Sequence, residues 1–410
     1  MLFFRNKKKK YQDNVNKTFI ALDIGTEFVK TAICRERDSK VEVIGFNRTR
    51  QENNSMYAAF IVDMKTVVST VDASIGEAII SAKDTVGDNF TLPNFAVVGI
   101  AGELIRGVVV EGKVSRKNHN IPISSNEIKE LKERLSKEVF ESTKSEISEE
   151  LGIKCDHLAG IDTYLNSVYV DGLKVIDPVG YTASEIGYKI FTTFGPKIQI
   201  NTIKNILEKI GISNALIVVE PYALTLSIKN LRNIESNGIV IDIGGGTTDI
   251  AVVQKGEIVG TSMFALAGKM FTKSIQKELN VSYLEAEEIK IKYSKNELDN
   301  YTKNKVSTVV QKNLYYWLVG LEILLKEYIS LKDSSTTFYI CGGGALLKDL
   351  QDGLLYYPWT NKVGLVKQPR IDLVFPNSID SVVDLTKQAN NPSDIAVLSL
   401  ANFYLYKSKD

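Results

Sequence analysis

The sequence predicts an α/β protein built as two lobes, and three observations carry that prediction. Two stretches far apart say nearly the same thing: Phe19 to Thr26 reads Phe-Ile-Ala-Leu-Asp-Ile-Gly-Thr, and Gly238 to Asp249 reads Gly-Ile-Val-Ile-Asp-Ile-Gly-Gly-Gly-Thr-Thr-Asp. At 410 residues the chain exceeds a comfortable single core. Between and beyond the repeats, strand-like and helix-like hydrophobic periods alternate as they do in β-α-β units.

Each repeat reads as strand, glycine turn, strand. A β-branched run ends in an aspartate, Asp23 or Asp242. The glycines that follow let the backbone turn with its N–H groups outward, a ready cradle for an anion. A carboxylate at each strand end can hold a hydrated magnesium ion against phosphate oxygens. One such hairpin is an ordinary turn, but two with the same Asp-Ile-Gly core point to a phosphate gripped from both sides. The cradle candidates are Gly25 and Thr26 in the first repeat and Gly244, Gly245, Gly246, Thr247 and Thr248 in the second, with Asp23 and Asp242 on the metal side.

Hydrophobic residues make up 44% and charged residues 24%, the proportions of an ordinary globular protein. Basic residues number 50 and acidic residues 49, so no broad basic face for nucleic acid is expected. Cys34, Cys155 and Cys341 are widely spaced in apolar, strand-like contexts, which fits reduced core thiols. His119 and His157 are the only histidines and read as structural or surface residues, so a zinc site or a Ser-His-Asp triad is not expected. No stretch reaches the roughly 18 apolar residues of a membrane span. Met1-Leu2-Phe3-Phe4 precedes Arg5 and Lys7 to Lys10, the reverse of a secretory signal. A cytoplasmic location is the expectation.

Residues 1–17 read as a flexible basic tail. Strands over 18–34 and 40–47 lead to a helix after Asp63, with Met64, Val67, Val68, Val71, Ile75, Ile79, Ala82 and Val86 on one face. A new unit begins near Pro93 with strands over 95–100 and 105–110. Ser124 and Glu127 read as a capping box for a long charged helix. A hairpin over 158–175 follows, then a strand over 188–194, a helix over 198–210 and a strand over 215–219. Past the second repeat, 267–279 and 284–293 read as helices, and Leu314 to Tyr328 carry a one-sided apolar stripe. A strand over 337–341 runs into Gly342, Gly343, Gly344 and Ala345, where small residues let a flat base lie on the backbone and the next helix adds its dipole.

Five landmarks in this order resemble the actin and sugar-kinase ATPase superfamily. They are the hairpin at Asp23 to Thr26, a connecting helix at Glu220-Pro221-Tyr222-Ala223-Leu224, the hairpin at Asp242 to Asp249, the turn at Gly342 to Ala345, and a second connecting helix at Ser393 to Val397. Within that superfamily the chain looks most like the FtsA cell-division family. Tyr169-Val170-Asp171-Gly172 with Asp177-Pro178-Val179-Gly180 resembles the close of that family's extra subdomain, and Ala267-Gly268-Lys269 with Ala286 to Lys290 resembles its ribose-side segment.

The resemblance implies an actin-like (ribonuclease H-like) two-lobed ATPase with ATP and Mg2+ in the cleft. The implied plan places the first lobe at 18–92 and 186–230, an inserted SHS2-type subdomain at 93–185, and the second lobe at 231–385. About 270–335 form a reduced, helical upper part, and 386–410 form a C-terminal helix returning to the first lobe. Glu220 and Asp242 are the catalytic candidates of a slow ATPase, Asp242 with Asp23 positioning the hydrated magnesium and Glu220 orienting the hydrolytic water. Glu287 and Lys290 contact ribose and adenine, with a plain i,i+3 ion pair as the alternative. Expected partners are the C-terminal tail of the division tubulin homologue FtsZ, further copies in protofilaments, and anionic membrane at the inner face of the cell.

The family's C-terminal amphipathic helix finds no counterpart before Asp410. Membrane contact is therefore expected from Leu2, Phe3, Phe4, Arg5 and Lys7 to Lys10, whose five charges are worth about 5 kcal/mol at most. Two alternatives of the same fold stay open, the first of them favoured by the reduced upper part. One is a PilM-like pilus-assembly scaffold that docks a membrane-protein peptide, and the other is a small-molecule kinase.

Overall fold

The computed structural model describes residues 18–88, 90–228, 237–328 and 336–409. The chain begins with β1 (Thr18–Ile24), β2 (Phe28–Arg37), β3 (Lys40–Arg50), the short pair β4 (Met56–Tyr57) and β5 (Phe60–Ile61), and helix α1 (Met64–Val86). It continues through β6 (Phe95–Ile100), β7 (Arg106–Ser115), α2 (Ser125–Leu151), β8 (Leu158–Val170), β9 (Leu173–Val175), β10 (Glu185–Pro196), α3 (Lys197–Lys209), β11 (Asn214–Val219) and α4 (Glu220–Ser227). The remainder runs β12 (Gly238–Ile243), β13 (Thr248–Gln254), β14 (Glu257–Phe264), α5 (Gly268–Leu279), α6 (Tyr283–Ser294) and α7 (Asn300–Lys326). It ends with β15 (Thr337–Cys341), α8 (Lys348–Tyr356), α9 (Trp359–Lys362), β16 (Arg370–Leu373), β17 (Val382–Asp384) and α10 (Ile395–Lys409).

Two sheets organise these elements. The first has the order β11-β6-β1-β2-β3-β17, with β11, β6 and β1 mutually parallel. Helices α1 and α10 pack on it. The second has the order β16-β15-β12-β13-β14-β7-β10-β8-β9. Its β14–β7 junction rests on the single pair Thr261↔Gly107, so the strands inserted between the first-sheet strands β6 and β11 hang on the second sheet by a narrow seam.

Strand period explains how β12 joins two cores. Ile239, Ile241 and Ile243 face one cluster with α5 and α7, while Val240 faces the other; Ile250 and Val252 against Ala251 and Val253 repeat the split in β13. Burial on both faces is what a continuous apolar run requires of a central strand. The α7 stripe of Val306, Val310, Leu314, Trp317, Leu321 and Leu325 is buried at helical spacing, as its period predicts. Among the described residues no helix is long and apolar enough to cross a membrane.

Several expectations need correction. Strand β6, placed at the start of the inserted unit at 93, pairs with β1 and β11 in the first sheet, so the insertion follows it. Strand β10, assigned to the first lobe, lies between β7 and β8 in the second sheet. Strand β17, assigned to the second lobe, pairs with β3 of the first sheet. Ser124 caps α2 through the Glu127 N–H, but the Glu127 carboxylate is taken by the Arg116 guanidinium at 2.7 and 2.9 Å and does not close a capping box. Cys155 is exposed in a short helical turn, whereas Cys34 and Cys341 are buried in strands. The basic tip Leu2 to Lys10 lies outside the described residues.

Candidate functional site

The two repeats fold into hairpins that match bond for bond. In the first, Ile24 pairs with Val29 and the Gly25 N–H donates to the Phe28 carbonyl at 3.0 Å; in the second, Ile243 pairs with Thr248 and the Gly244 N–H donates to the Thr247 carbonyl at 2.9 Å. Each therefore has a two-residue tip, Thr26-Glu27 or Gly245-Gly246. The tips meet crosswise: a Cβ on Gly246 would lie 2.8 Å from Thr26 Oγ1, and one on Gly245 would lie 2.8 Å from Glu27 Cβ. First position meets second and second meets first, which is the reciprocity of a local two-fold axis. Gly245 and Gly246 are glycines because the opposite tip occupies the space of a side chain.

The strand partners of the two aspartates differ in charge. Asp23 pairs across its hairpin with Lys30, whose Nζ donates to Asp23 Oδ2 at 2.8 Å. Asp242 pairs across its hairpin with a second carboxylate, Asp249. Glu220, the first residue of α4, adds a fourth acid. Burial and the neighbouring acids push Glu220 well above the usual carboxylate range, with Lys30 opposing. Burial lifts Asp242 to about 6, opposed by Lys30 and helped by Asp23. Burial and then Asp242 lift Asp249 to about 8, against the hydrogen bond it accepts from Thr247 Oγ1 at 3.0 Å. For Lys30 burial favours the neutral amine, but the charge and hydrogen bond of Asp23, with Asp242 and Asp394 beyond, outweigh it and raise its pKa.

Four acids around one ammonium make a site short of positive charge. That donor set fits a hard divalent cation. Among the described residues no three acids, histidines or cysteines are close enough to ligate one ion together, so a cation here would be held through its water shell.

A cavity of about 520 Å3 gathers most of the expected residues. Asp23, Gly25, Thr26, Glu220, Asp242, Gly244, Gly245, Gly246, Thr247, Glu287, Lys290, Gly342, Gly343 and Gly344 all line it. Gly342 has φ +85°, and a Cβ there would meet Asp242 Oδ1 at 2.2 Å, so glycine is required twice over. Thr248 and Ala345 do not line the cavity. The Thr248 hydroxyl is spent in the core, donating to the Leu266 carbonyl at 2.7 Å and accepting from Trp317 Nε1 at 2.9 Å. Ala345 is fully buried, and its carbonyl accepts from Gln351 Nε2.

Glu287 and Lys290 form the i,i+3 pair at 2.8 Å and also line the cavity. Thr272 Oγ1 joins them, donating to Glu287 and accepting from Lys290.

Sequence reasoning gave no site role to Lys30, Asp249, Glu27, Lys269 or Tyr283, although Asp249 and Lys269 lie within the motifs it singled out. Lys269 Nζ reaches from α5 across the cleft to the Thr26 carbonyl at 2.9 Å and Glu27 at 3.2 Å, and the Tyr283 hydroxyl donates to Glu27 at 3.2 Å. Lys30 and Asp249 were legible, since counting outward from each two-residue tip puts them opposite the aspartates.

The chain resembles known proteins in both sequence and fold. The family model "Cell division protein FtsA" matches residues 239–357. The chain is similar to cell division protein FtsA of Streptococcus pneumoniae, 25% identical over 276 residues, covering 67% of this chain and 55% of that one. FtsA of Bacillus subtilis is 26% identical over 278 residues, 68% of this chain and 58% of that one. The match thus spans a little over half the length of these curated relatives. Among solved structures, a chain of a PilM-PilN type IV pilus biogenesis complex superposes with a TM-score of 0.65 at 15% identity, over 96% of this chain and 99% of that one. MreB5 of Spiroplasma citri bound to AMPPNP gives 0.50 at 13% identity, over 97% and 98%. The sequence likeness is to the FtsA cell-division proteins, and the fold is that of the actin-like ATPases.

Proposed function

We propose that the chain is an ATP-binding actin-like protein of bacterial cell division, a membrane-proximal scaffold whose nucleotide state sets lobe closure and self-association. The observation that carries this reading is the crosswise meeting of two matched glycine hairpins over one acid-lined cavity. The N–H groups of Gly25, Gly245 and Gly246, with the hydroxyls of Thr26 and Thr247, would receive the phosphates. Asp23 and Asp242 would hold a hydrated Mg2+, which when bound supplies the positive charge the acids lack. Glu287 and Lys290 would meet the ribose and base edge, and Gly342 to Gly344 the flat face of the base.

Glu220 would orient water at the end of the triphosphate. Turnover is expected to be slow, with nucleotide acting mainly to set lobe closure and self-association. Cytoplasmic placement at the membrane, contact through Leu2, Phe3, Phe4, Arg5 and Lys7, and recruitment by the FtsZ tail belong to this proposal. The inserted unit, with α2 packed against β8 and β10, is its SHS2-type partner subdomain, and the wholly helical stretch from α5 to α7 is its reduced upper part.

Calorimetry with ATP and Mg2+ tests the site. Asp242→Ala should lose magnesium-dependent binding by at least tenfold, and unchanged affinity rejects the assignment. A PilM-like pilus scaffold is the second reading, favoured by the likeness to a PilM-PilN chain over nearly its full length. Co-sedimentation with an FtsZ C-terminal peptide supports division, whereas binding of a pilus-protein N-terminal peptide alone supports the alternative. A small-molecule kinase of the same fold would show ATP-dependent phosphorylation of a small acceptor.

A further inference from the structure

Helix α6 forms one long wall of the cavity. Tyr283, Glu287, Lys290, Ile291, Ser294 and the capping Lys295 fall on one face at helical spacing, and all six line it. At the first turn the Tyr283 hydroxyl donates to Glu27, at the tip of the first hairpin, at 3.2 Å. At the last turn the Tyr293 hydroxyl donates to Asp349 of α8 at 3.1 Å. The helix thus runs from the first hairpin to α8, where Leu346, Leu347 and Leu350 take over the wall.

Little apolar burial holds it there. Ala286 is the one fully buried residue of α6, with Ile289 and Tyr293 half-buried on the same face. The neighbouring helices are anchored far better, α5 by Phe271 and Ile275 and α7 by its stripe from Val306 to Leu325. The other fastenings of α6 are polar: Lys290 Nζ donates to the Gly268 carbonyl at 3.3 Å and to Thr272 and Glu287 at 2.8 Å each. Asn280 at φ +52° and Asn296 at φ +60° bound the helix, so the chain turns sharply on either side and neither α5 nor α7 runs on into it. An element with few buried apolar contacts and mostly polar fastenings belongs to the low-stability end of a fold, from which lids are drawn.

We propose, resting on the nucleotide reading above, that α6 is a lid: it swings as a unit about Asn280 and Asn296, with the Tyr283–Glu27 contact as its latch, and closes on the bound nucleotide. Amide hydrogen exchange on the full chain tests it, first without ligand and then with Mg2+ and AMPPNP. Without ligand, amides 287–294 should be protected at least about tenfold less than the central amides of α5 and α7, and Tyr283→Phe should lower that protection about threefold further while α7 keeps its own. Nucleotide should raise the protection of α6 by at least about tenfold, and by more than that of α7. Near-UV circular dichroism reports whether Tyr283→Phe is folded. Equal protection of the three helices in the ligand-free protein, or an α6 unmoved by Tyr283→Phe, overturns the lid whether or not ATP binds. Calorimetric binding of AMPPNP with no added protection of α6 also overturns it and leaves the nucleotide site standing, whereas no binding at all fells the nucleotide reading and the lid together.

Discussion

Lys30 and Asp249 hold the same station in the two hairpins, and their opposite charges decide how the site responds to pH. The lysine neutralises Asp23, while the aspartate leaves Asp242 facing a like charge, so Asp242 and Asp249 are lifted from about 3.8 in the unfolded chain to about 6 and about 8. Between those limits the folded protein binds more protons than the unfolded one, so these groups make it lose stability as pH rises through that window. Ligand-free protein should melt at progressively lower temperature from about pH 4 to about pH 8, and Asp249→Asn should flatten that decline, matching wild type at the acid end and exceeding it by several degrees at the alkaline end. Parallel melting curves for the two proteins would contradict the assigned burial.

Thr248 teaches a related lesson about single residues. A threonine beside a glycine turn looks available for phosphate, but strand period turns its hydroxyl toward the core, where it is held by Leu266 and Trp317. The motif was legible as a string of residues, and the direction of each side chain required the register.

At the scale of elements, α5 and α6 close on the first hairpin through Lys269 and Tyr283, which share Glu27 with Arg50. Partly exposed ion pairs of this kind are worth about 0–1 kcal/mol each, so their removal should barely move global stability. It should move cleft closure. Lys269→Ala combined with Tyr283→Phe is expected to raise amide exchange at residues 25–28 and weaken ATP binding about three- to tenfold, the equivalent of about 1 kcal/mol. Calorimetry and hydrogen exchange check both, and a variant with unchanged exchange at the hairpin would show that the contacts do not hold the cleft.

These contacts were invisible beforehand because they join residues some 240 positions apart, from Thr26 to Lys269. By contrast, the existence and type of α1, α2, α5, α6 and α7 followed from their apolar spacing, because helical period is a local property. Glu127 lies between these cases. Its spacing from Ser124 fits a capping box, and only the fold brings Arg116 beside it to claim the carboxylate.

For the whole molecule, sheet membership was the least legible quantity. The apolar runs of β6 and β10 say that they are strands, but nothing in those runs says which sheet receives them. The fold resolves this by running one apolar cluster between the cleft and the inserted strands. Tyr222, two residues after Glu220 on α4, stacks on Tyr164 of β8 with ring centroids 3.8 Å apart, and Phe191 of β10 lies 5.3 Å away. Phe403 of α10 meets Tyr222 edge-on at 6.2 Å. Cleft, insertion and C-terminal helix therefore share a core, and Tyr222→Leu should cost about 2–4 kcal/mol of global stability in urea unfolding. A loss below about 0.5 kcal/mol would mean that the stack is not part of the cooperative core.

The central claim is that two copies of one hairpin, related by a local two-fold, pinch a single triphosphate. Its most direct test is a crystal structure of the chain with Mg2+ and a non-hydrolysable ATP analogue. The expected result is a triphosphate within hydrogen-bonding reach of both the Gly25-Thr26 and the Gly245-Gly246 tips. A nucleotide bound at one tip alone, or outside the cavity that Asp23 and Asp242 share, would contradict it.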